Sequence, residues 1–256
     1  MSIEMSSVLA GVGFVPERVP AGEPEHARET LARDGAVIMS GWPVEPESLV
    51  CAAAAVLGTR LRELEAVTDR ASDADEGLPF HTDGANLVID VHDRPVRLRD
   101  PDIDYLLLLC ATPAPSGGES LVADAYRLVA QIHDQNPDLY EFLTQADVAF
   151  ESLDRRDVQH TPSVCRMVEW TRGGRIVIRA AAWAQPRPRE PQREEHQRHL
   201  ASYAQLLAGL AARMPGDRLQ SGEILVIDNY RCLHAVHAHQ GPRRIHTLRC
   251  KSADAV

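Results

Sequence analysis

Apolar positions along the chain switch between helical and alternating spacing. Residues 25–34 (EHARETLARD) read as an amphipathic helix closed by Gly35, and Ala36–Met39 (AVIM) as a short strand. Glu47–Leu57 (ESLVCAAAAVL) is Ala-rich and stops at Gly58, which predicts a second helix. Residues 68–79 (TDRASDADEGLP) are polar, acidic and turn-rich, so the pattern predicts a mobile loop. Strand signals follow at Asn86–Val91, Tyr105–Ala111 and Ser120–Ala123. Asp124 is placed to N-cap a helix from Ala125 to about Asp134, and Pro137 opens another that runs to Gln145. Arg175–Ala180 reads as a strand with Arg175, Val177 and Arg179 on one face. A proline-punctuated connector at 186–191 leads into the longest helical pattern, Glu194 to about Arg213, so 186–215 reads as a helical insertion. Two more strands, Glu223–Asn229 and Arg244–Lys251, complete the pattern.

Strands and helices do not alternate regularly, and that argues against a doubly wound parallel sheet. The pattern predicts one mainly β domain over residues 1–256, a barrel or jelly roll decorated with helices. There is no internal repeat and no low-complexity tract.

Composition narrows the class of protein. Lys plus Arg number 27 against 37 Asp plus Glu, a formal charge of −10, which argues against phosphate-backbone binding and hence against nucleic acid as partner. The longest apolar run, Tyr105–Ala111, is strand-length, well short of the roughly 20 residues that span a bilayer, so no membrane partner is expected. No basic-then-apolar leader opens the chain, and a cytoplasmic location is the expectation. Cys51, Cys110, Cys165, Cys232 and Cys250 are odd in number and widely spaced, with no C-x-x-C pair; they read as small buried hydrophobes.

The chemistry concentrates in two places. In Phe80-His81-Thr82-Asp83-Gly84, an extended backbone puts His81 and Asp83 on one face, where an imidazole and a carboxylate can reach one metal ion. A second histidine, His234, is delivered by Tyr230–His234 just after the strand Glu223–Asn229, where that strand should end. Two histidines and one carboxylate with open positions describe a non-haem Fe(II) oxygenase site. Fifteen residues beyond His234, Arg249 shares a strand face with Ile245 and Thr247. An arginine facing into a barrel needs an anionic partner, and a bound dicarboxylate is one.

These blocks, in order, resemble the Fe(II)/2-oxoglutarate-dependent oxygenases of the taurine dioxygenase and clavaminate synthase-like group. The resemblance rests on Leu78–Gly84 (LPFHTDG), Pro115–Ala125 (PSGGESLVADA), and Gly222 to His234 with Arg249 after it. A weaker match, Arg33–Gly41, extends it over about residues 30–251. It implies a double-stranded β-helix (jelly-roll, cupin-like) core, with His81, Asp83 and His234 as ligands of Fe(II). It also implies that Arg249, with Ser120 as a further donor, holds the distal carboxylate of the cosubstrate 2-oxoglutarate. Ser120 stands where the family usually has threonine, so the hydroxyl is kept and a methyl lost. The implied reaction uses O2, decarboxylates 2-oxoglutarate to succinate and oxidises a substrate C–H bond, most often by hydroxylation. Halogenating relatives lack the carboxylate ligand; the presence of Asp83 argues against halogenation here.

Other constellations are weaker. His237 and His239 follow His234 closely but read as solvated loop histidines, and His196 and His199 as a solvated helix face. No nucleophile elbow, phosphate loop or dinucleotide fingerprint occurs. For the substrate, the sequence offers Asn86, just past the metal motif, and Arg179. Arg60, Arg62 and the acidic residues Asp69, Asp73, Asp75 and Glu76 are further polar candidates. The expected substrate is a small polar molecule, an amino acid or a product of one. The competing expectation is a barrel that binds metal and 2-oxoglutarate without turnover, as a sensor.

Overall fold

Strands with apolar residues at both parities must be covered on both faces, and three such runs form the centre of this molecule. The computed structural model describes residues 11–91, 94–100, 103–150, 159–161, 163–187 and 189–255; within 85–100 and 159–161 it describes the backbone alone. The strands before the first long helical insertion are β1 (Gly13–Phe14), β2 (Arg18–Pro20), β3 (Ala36–Ser40), β4 (Leu61–Leu64), β5 (Thr68–Asp75), β6 (Leu78–His81), β7 (Ala85–Val91), β8 (Arg94–Asp100), β9 (Tyr105–Thr112), β10 (Ser116–Gly117) and β11 (Ser120–Asp124). Those after it are β12 (Asp147–Phe150), β13 (Gln159–Thr161), β14 (Ser163–Arg166), β15 (Val168–Trp170), β16 (Ile176–Ile178), β17 (Ala184–Pro186), β18 (Ile224–Asp228), β19 (Cys232–Val236) and β20 (His239–Ser252). The helices are α1 (Pro24–Asp34), α2 (Glu47–Leu57), α3 (Ala125–Gln135), α4 (Pro137–Gln145) and α5 (Arg193–Ala211).

Two sheets dominate. The larger runs β10-β20-β9-β18-β3-β2, with β4 and β5 also paired to β20; the smaller runs β1-β11-β19-β6. Alternation sorts their side chains into three cores. Ile38, Leu106, Leu225 and Ile245 from the larger sheet meet Val122 and Cys232 from the smaller one between the sheets. On the far side of the larger sheet, Val37, Leu107, Val226 and Leu248 pack against Leu31 of α1 and Leu49 and Val56 of α2. On the far side of the smaller, Phe80, Leu121 and Leu233 pack with Leu128, Leu143 and Leu207 from α3, α4 and α5. Each fully buried aliphatic side chain contributes about 1.5–3 kcal/mol, so the helices are held chiefly by what they cover.

Local signals act where the pattern places them. The Asp124 carboxylate accepts from the N–H groups of Tyr126 (3.0 Å) and Arg127 (3.3 Å), starting α3. Gly35 closes α1 at φ 85°, a left-handed position that a side chain resists.

The segment 68–79 departs from expectation. It is not a loop over its first two thirds: Thr68–Asp75 pairs antiparallel with β20 from Thr247 back to His239. Its polar residues occur at both parities because one face meets solvent and the other, carrying Thr68 and Arg70, lines a cavity that also takes polar groups. Backbone pairing decides the conformation there, and hydropathy carries no trace of it. β20 likewise begins earlier than expected, at His239. Among the described residues, no helix is long and apolar enough to cross a membrane.

Candidate metal centre

His81 is the last residue of β6, and β6 pairs with β19 so that His81 lies directly opposite His234. Asp83 follows in the loop beyond the strand end. Ligand atoms of His81, Asp83 and His234 all lie within 4.8 Å of one another, the one such group of three or more His, Cys, Asp or Glu among the described residues. Both histidine Nε2 atoms face the same oxygen, Asp83 Oδ1, at 3.4 Å from His81 and 3.6 Å from His234. The other oxygen, Asp83 Oδ2, accepts from Arg249 Nε at 2.7 Å.

The electrostatics follow from this crowding. Burial works against the Asp83 carboxylate, yet the His234 and His81 rings beside it and the charge of Arg249 hold its pKa well below the usual range. Burial, then the neighbouring His81 ring, pushes the His234 imidazole down, toward the neutral form that ligates metals. His81 Nδ1 lies 2.8 Å from the Pro79 carbonyl oxygen, which can only accept. In the neutral, metal-ligating form of the ring the proton therefore sits on Nδ1, and the Nε2 lone pair points at the Asp83 carboxylate. Two acceptors facing each other at 3.4 Å repel unless a cation lies between them. The His234 Nδ1 atom is buried and makes no hydrogen bond. The donor set and its tautomer fit a divalent transition metal with N and O preference.

The three residues line a cavity of about 290 Å³ between the two sheets. Ser120 and Arg249 line it too. Arg179 does not. Its guanidinium binds Glu169 (2.6 Å) and the Arg166 carbonyl (3.0 Å), so an arginine read as a substrate contact instead ties neighbouring segments together. Asn86 falls on β7, where the side chain lies outside the described residues. Arg60 contacts Tyr105 Oη and Asp254, Arg62 bonds nearby carbonyls, and Asp69 binds Arg244. None of these lines the cavity, nor do Asp73, Asp75 or Glu76. His237 sits by Glu119 at the surface, while His239 is buried between Ser72 Oγ and the Gly241 carbonyl. On α5, His196 pairs with Glu190 and His199 stacks on Phe142.

Among the polar and aromatic lining residues, sequence reasoning missed Thr68, Arg70, Trp183 and Arg243. Arg243 was within reach, because it continues the series 245, 247, 249 by one step of two. Burial lowers its pKa, and its guanidinium makes no hydrogen bond or ion pair with another described residue. The Gly117–Gly118 turn makes room for it: a Cβ on Gly118 would lie 3.3 Å from Arg243 Nε. Trp183 carried no signal; it stands in a run of alanines, and its ring lies 6.1 Å from that of His81 only through the fold.

Three solved structures share this architecture. PvcB, an Fe, alpha-ketoglutarate dependent oxygenase from an isonitrile synthetic pathway, is 17% identical with a TM-score of 0.61, over 93% of this chain and 85% of its own. AAD-2, solved with Mn(II) and N-oxalylglycine, is 14% identical at TM-score 0.60, over 93% and 91%. Asparagine oxygenase, solved with Fe(II), 2S,3S-3-hydroxyasparagine and succinate, is 16% identical at TM-score 0.59, over 91% and 79%. At such identities the likeness is one of fold. The sequence profile described as "Taurine catabolism dioxygenase TauD, TfdA family" matches residues 14–251, nearly the whole length. The chain belongs to that family and is a non-haem Fe(II)- and 2-oxoglutarate-dependent dioxygenase acting on a small molecule.

Proposed function

We propose that His81, Asp83 and His234 hold the Fe(II), and that the cavity beside them takes 2-oxoglutarate together with a small polar substrate, an amino acid or a product of one. The observation that carries this reading is the convergence of two imidazole Nε2 atoms on one carboxylate oxygen at the wall of a cavity lined also by Arg70, Arg243 and Arg249. Bound iron supplies dioxygen activation and the oxidation of cosubstrate and substrate. The protein's part is orientation and exclusion of water. The Pro79 carbonyl fixes the His81 tautomer, and Arg249 holds Asp83 from its outer oxygen. Leu106, Leu108, Leu225 and Trp183 give the cavity apolar walls that keep solvent from a reactive site. The two facing sheets, with a core between them, support a double-stranded β-helix as the framework.

The distal carboxylate of 2-oxoglutarate is assigned to Arg249, with Ser120 as a further donor. One observation favours a second reading. Arg249 is already engaged by Asp83, whereas Arg243 has no partner among the described residues and sits by the Gly117–Gly118 turn that leads to Ser120. Arg243 with Ser120 is then the anchor, and a 2-oxoglutarate titration of both alanine variants decides between them. Hydroxylation is the favoured outcome. The asparagine oxygenase structure, with its hydroxylated amino acid, supports that substrate class. A succinate-release screen across amino acids and small carboxylic acids tests it. Release above the substrate-free rate with one class identifies the substrate; metal and 2-oxoglutarate binding with no release by any compound supports the sensor instead.

A further inference from the structure

Asp83 lies past the end of β6, so no strand pairing fixes the carboxylate ligand. Its main chain is paired nevertheless, by one side chain. Asn229, 2% exposed, lies in the turn directly after β18. Its Oδ1 accepts from the Asp83 N–H at 2.9 Å. Its Nδ2 donates to the Asp83 carbonyl at 2.9 Å and to the Ile103 carbonyl at 2.7 Å. Two carbonyls on one side and an N–H on the other fix the orientation of the amide. Only a side-chain amide offers an acceptor and two donors in one plane at this length.

The turn that carries Asn229 is itself anchored. The Asn229 N–H donates to the Asp104 carbonyl at 2.8 Å. The preceding Asp228 accepts from the N–H groups of Tyr230 (3.1 Å) and Arg231 (3.2 Å) and pairs with Arg175 at 2.5 Å. The same stretch of chain then delivers His234 on β19. On the other side of the motif, Thr82 N–H donates to the Ala180 carbonyl at 2.9 Å, and its hydroxyl accepts from Ala180 N–H at 3.2 Å.

We infer that Asn229 is a positioning residue for the metal site: its amide holds the Asp83 backbone in register with the strand that brings His234, so that the carboxylate meets both imidazoles. This rests on the reading of His81, Asp83 and His234 as the metal ligands. Asn229 touches no reacting atom; it acts through Asp83.

The test is anaerobic Co(II) titration of the metal-free full chain, by equilibrium dialysis and by the visible absorption of the bound ion. Asn229→Ala removes all three bonds and weakens Co(II) affinity by about 10–100-fold, the range for partners of metal ligands, with a shifted visible spectrum. Asn229→Ser, whose hydroxyl can restore one bond, falls between it and the native chain, and it carries the test if the alanine variant does not fold. Leu128→Ala, in the α3 core away from the site, lowers the melting temperature and leaves affinity and spectrum unchanged. Native Co(II) affinity and spectrum in the Asn229 variants overturn the inference, as does an equal loss of affinity in Leu128→Ala. His81→Ala, run alongside, separates the two readings. Retained Co(II) binding there removes the triad, and the clamp with it; loss there beside native behaviour in the Asn229 variants removes the clamp alone.

Discussion

The two ends of the cavity are built on opposite terms. Arg249 and Arg243 stand six residues apart on β20, about 20 Å along an extended strand. At the Arg249 end the polar atoms converge: His81 Nδ1 is held by the Pro79 carbonyl, Asp83 Oδ2 by Arg249, and the two imidazole Nε2 atoms face Asp83 Oδ1 as the donor set of one cation. At the Arg243 end the backbone is fixed, with Ser120 N–H on the Asp217 carbonyl at 2.8 Å, but the guanidinium has no partner among the described residues. The committed end is arranged about one cation. An end with spare donors is suited to an anion that arrives and leaves. If Arg243 is the anchor, as the second reading above has it, chemistry belongs to the first end and recognition to the second, and each can be perturbed separately.

The largest effect falls at the committed end. His81→Ala and His234→Ala should each remove most iron affinity and turnover, read by metal content and succinate release; full activity in either breaks the comparison outright. Next come the arginines. Loss of one partner from a buried charge pair costs about 2–5 kcal/mol. Arg249→Ala should therefore raise the 2-oxoglutarate requirement steeply while iron still binds. If Arg243→Ala shifts that titration and Arg249→Ala does not, the anchor belongs to the uncommitted end.

Smaller changes sharpen the same contrast. Gly117 has φ 75°, and a Cβ there would overlap the Ala238 carbonyl oxygen. Gly117→Ala should cost about 1–3 kcal/mol of stability, lower the melting temperature, and weaken 2-oxoglutarate binding more than metal binding. Ser120→Ala removes one hydroxyl donor, about 0.5–1.5 kcal/mol. It should weaken 2-oxoglutarate a few-fold and leave metal affinity alone, read by the same two titrations.

What the sequence made legible follows the same division. The His81–Asp83 pair, His234 and the inward register of Arg249 were legible as local patterns, although Asp83 lies in the loop past β6 and His234 at the middle of β19 rather than at a strand end. The central strands and α3, with its Asp124 cap, were legible for the same reason. Residues that matter through a distant partner were not. Arg179 looked free until the fold brought Glu169 beside it, and Trp183 and Asn229 acquire their neighbours only when segments far apart in the chain meet. β5 is the sharpest case, because its polar surface reads as a loop while its backbone bonds belong to β20.

That case supplies the smallest expected effect. If residues 68–79 closed over substrate, their acidic side chains would matter to coupling. Instead Asp75 pairs with Arg70 and accepts from Gly77 N–H at 2.9 Å, and Asp73 and Glu76 are exposed. Exposed pairs of this kind contribute about 0–1 kcal/mol. Replacing Asp73, Asp75 and Glu76 by their amides should therefore lower the melting temperature slightly and leave the ratio of product to succinate unchanged. Hydrogen exchange examines the backbone directly. With β5 paired to β20 from Thr68 to Asp75, its hydrogen-bonded amides should be protected before any substrate is added. Protection that grows only when substrate joins iron and 2-oxoglutarate, together with lost coupling in the neutralised variant, would make this segment a loop that closes over substrate. The wall of the cavity on that side would then be a moving part.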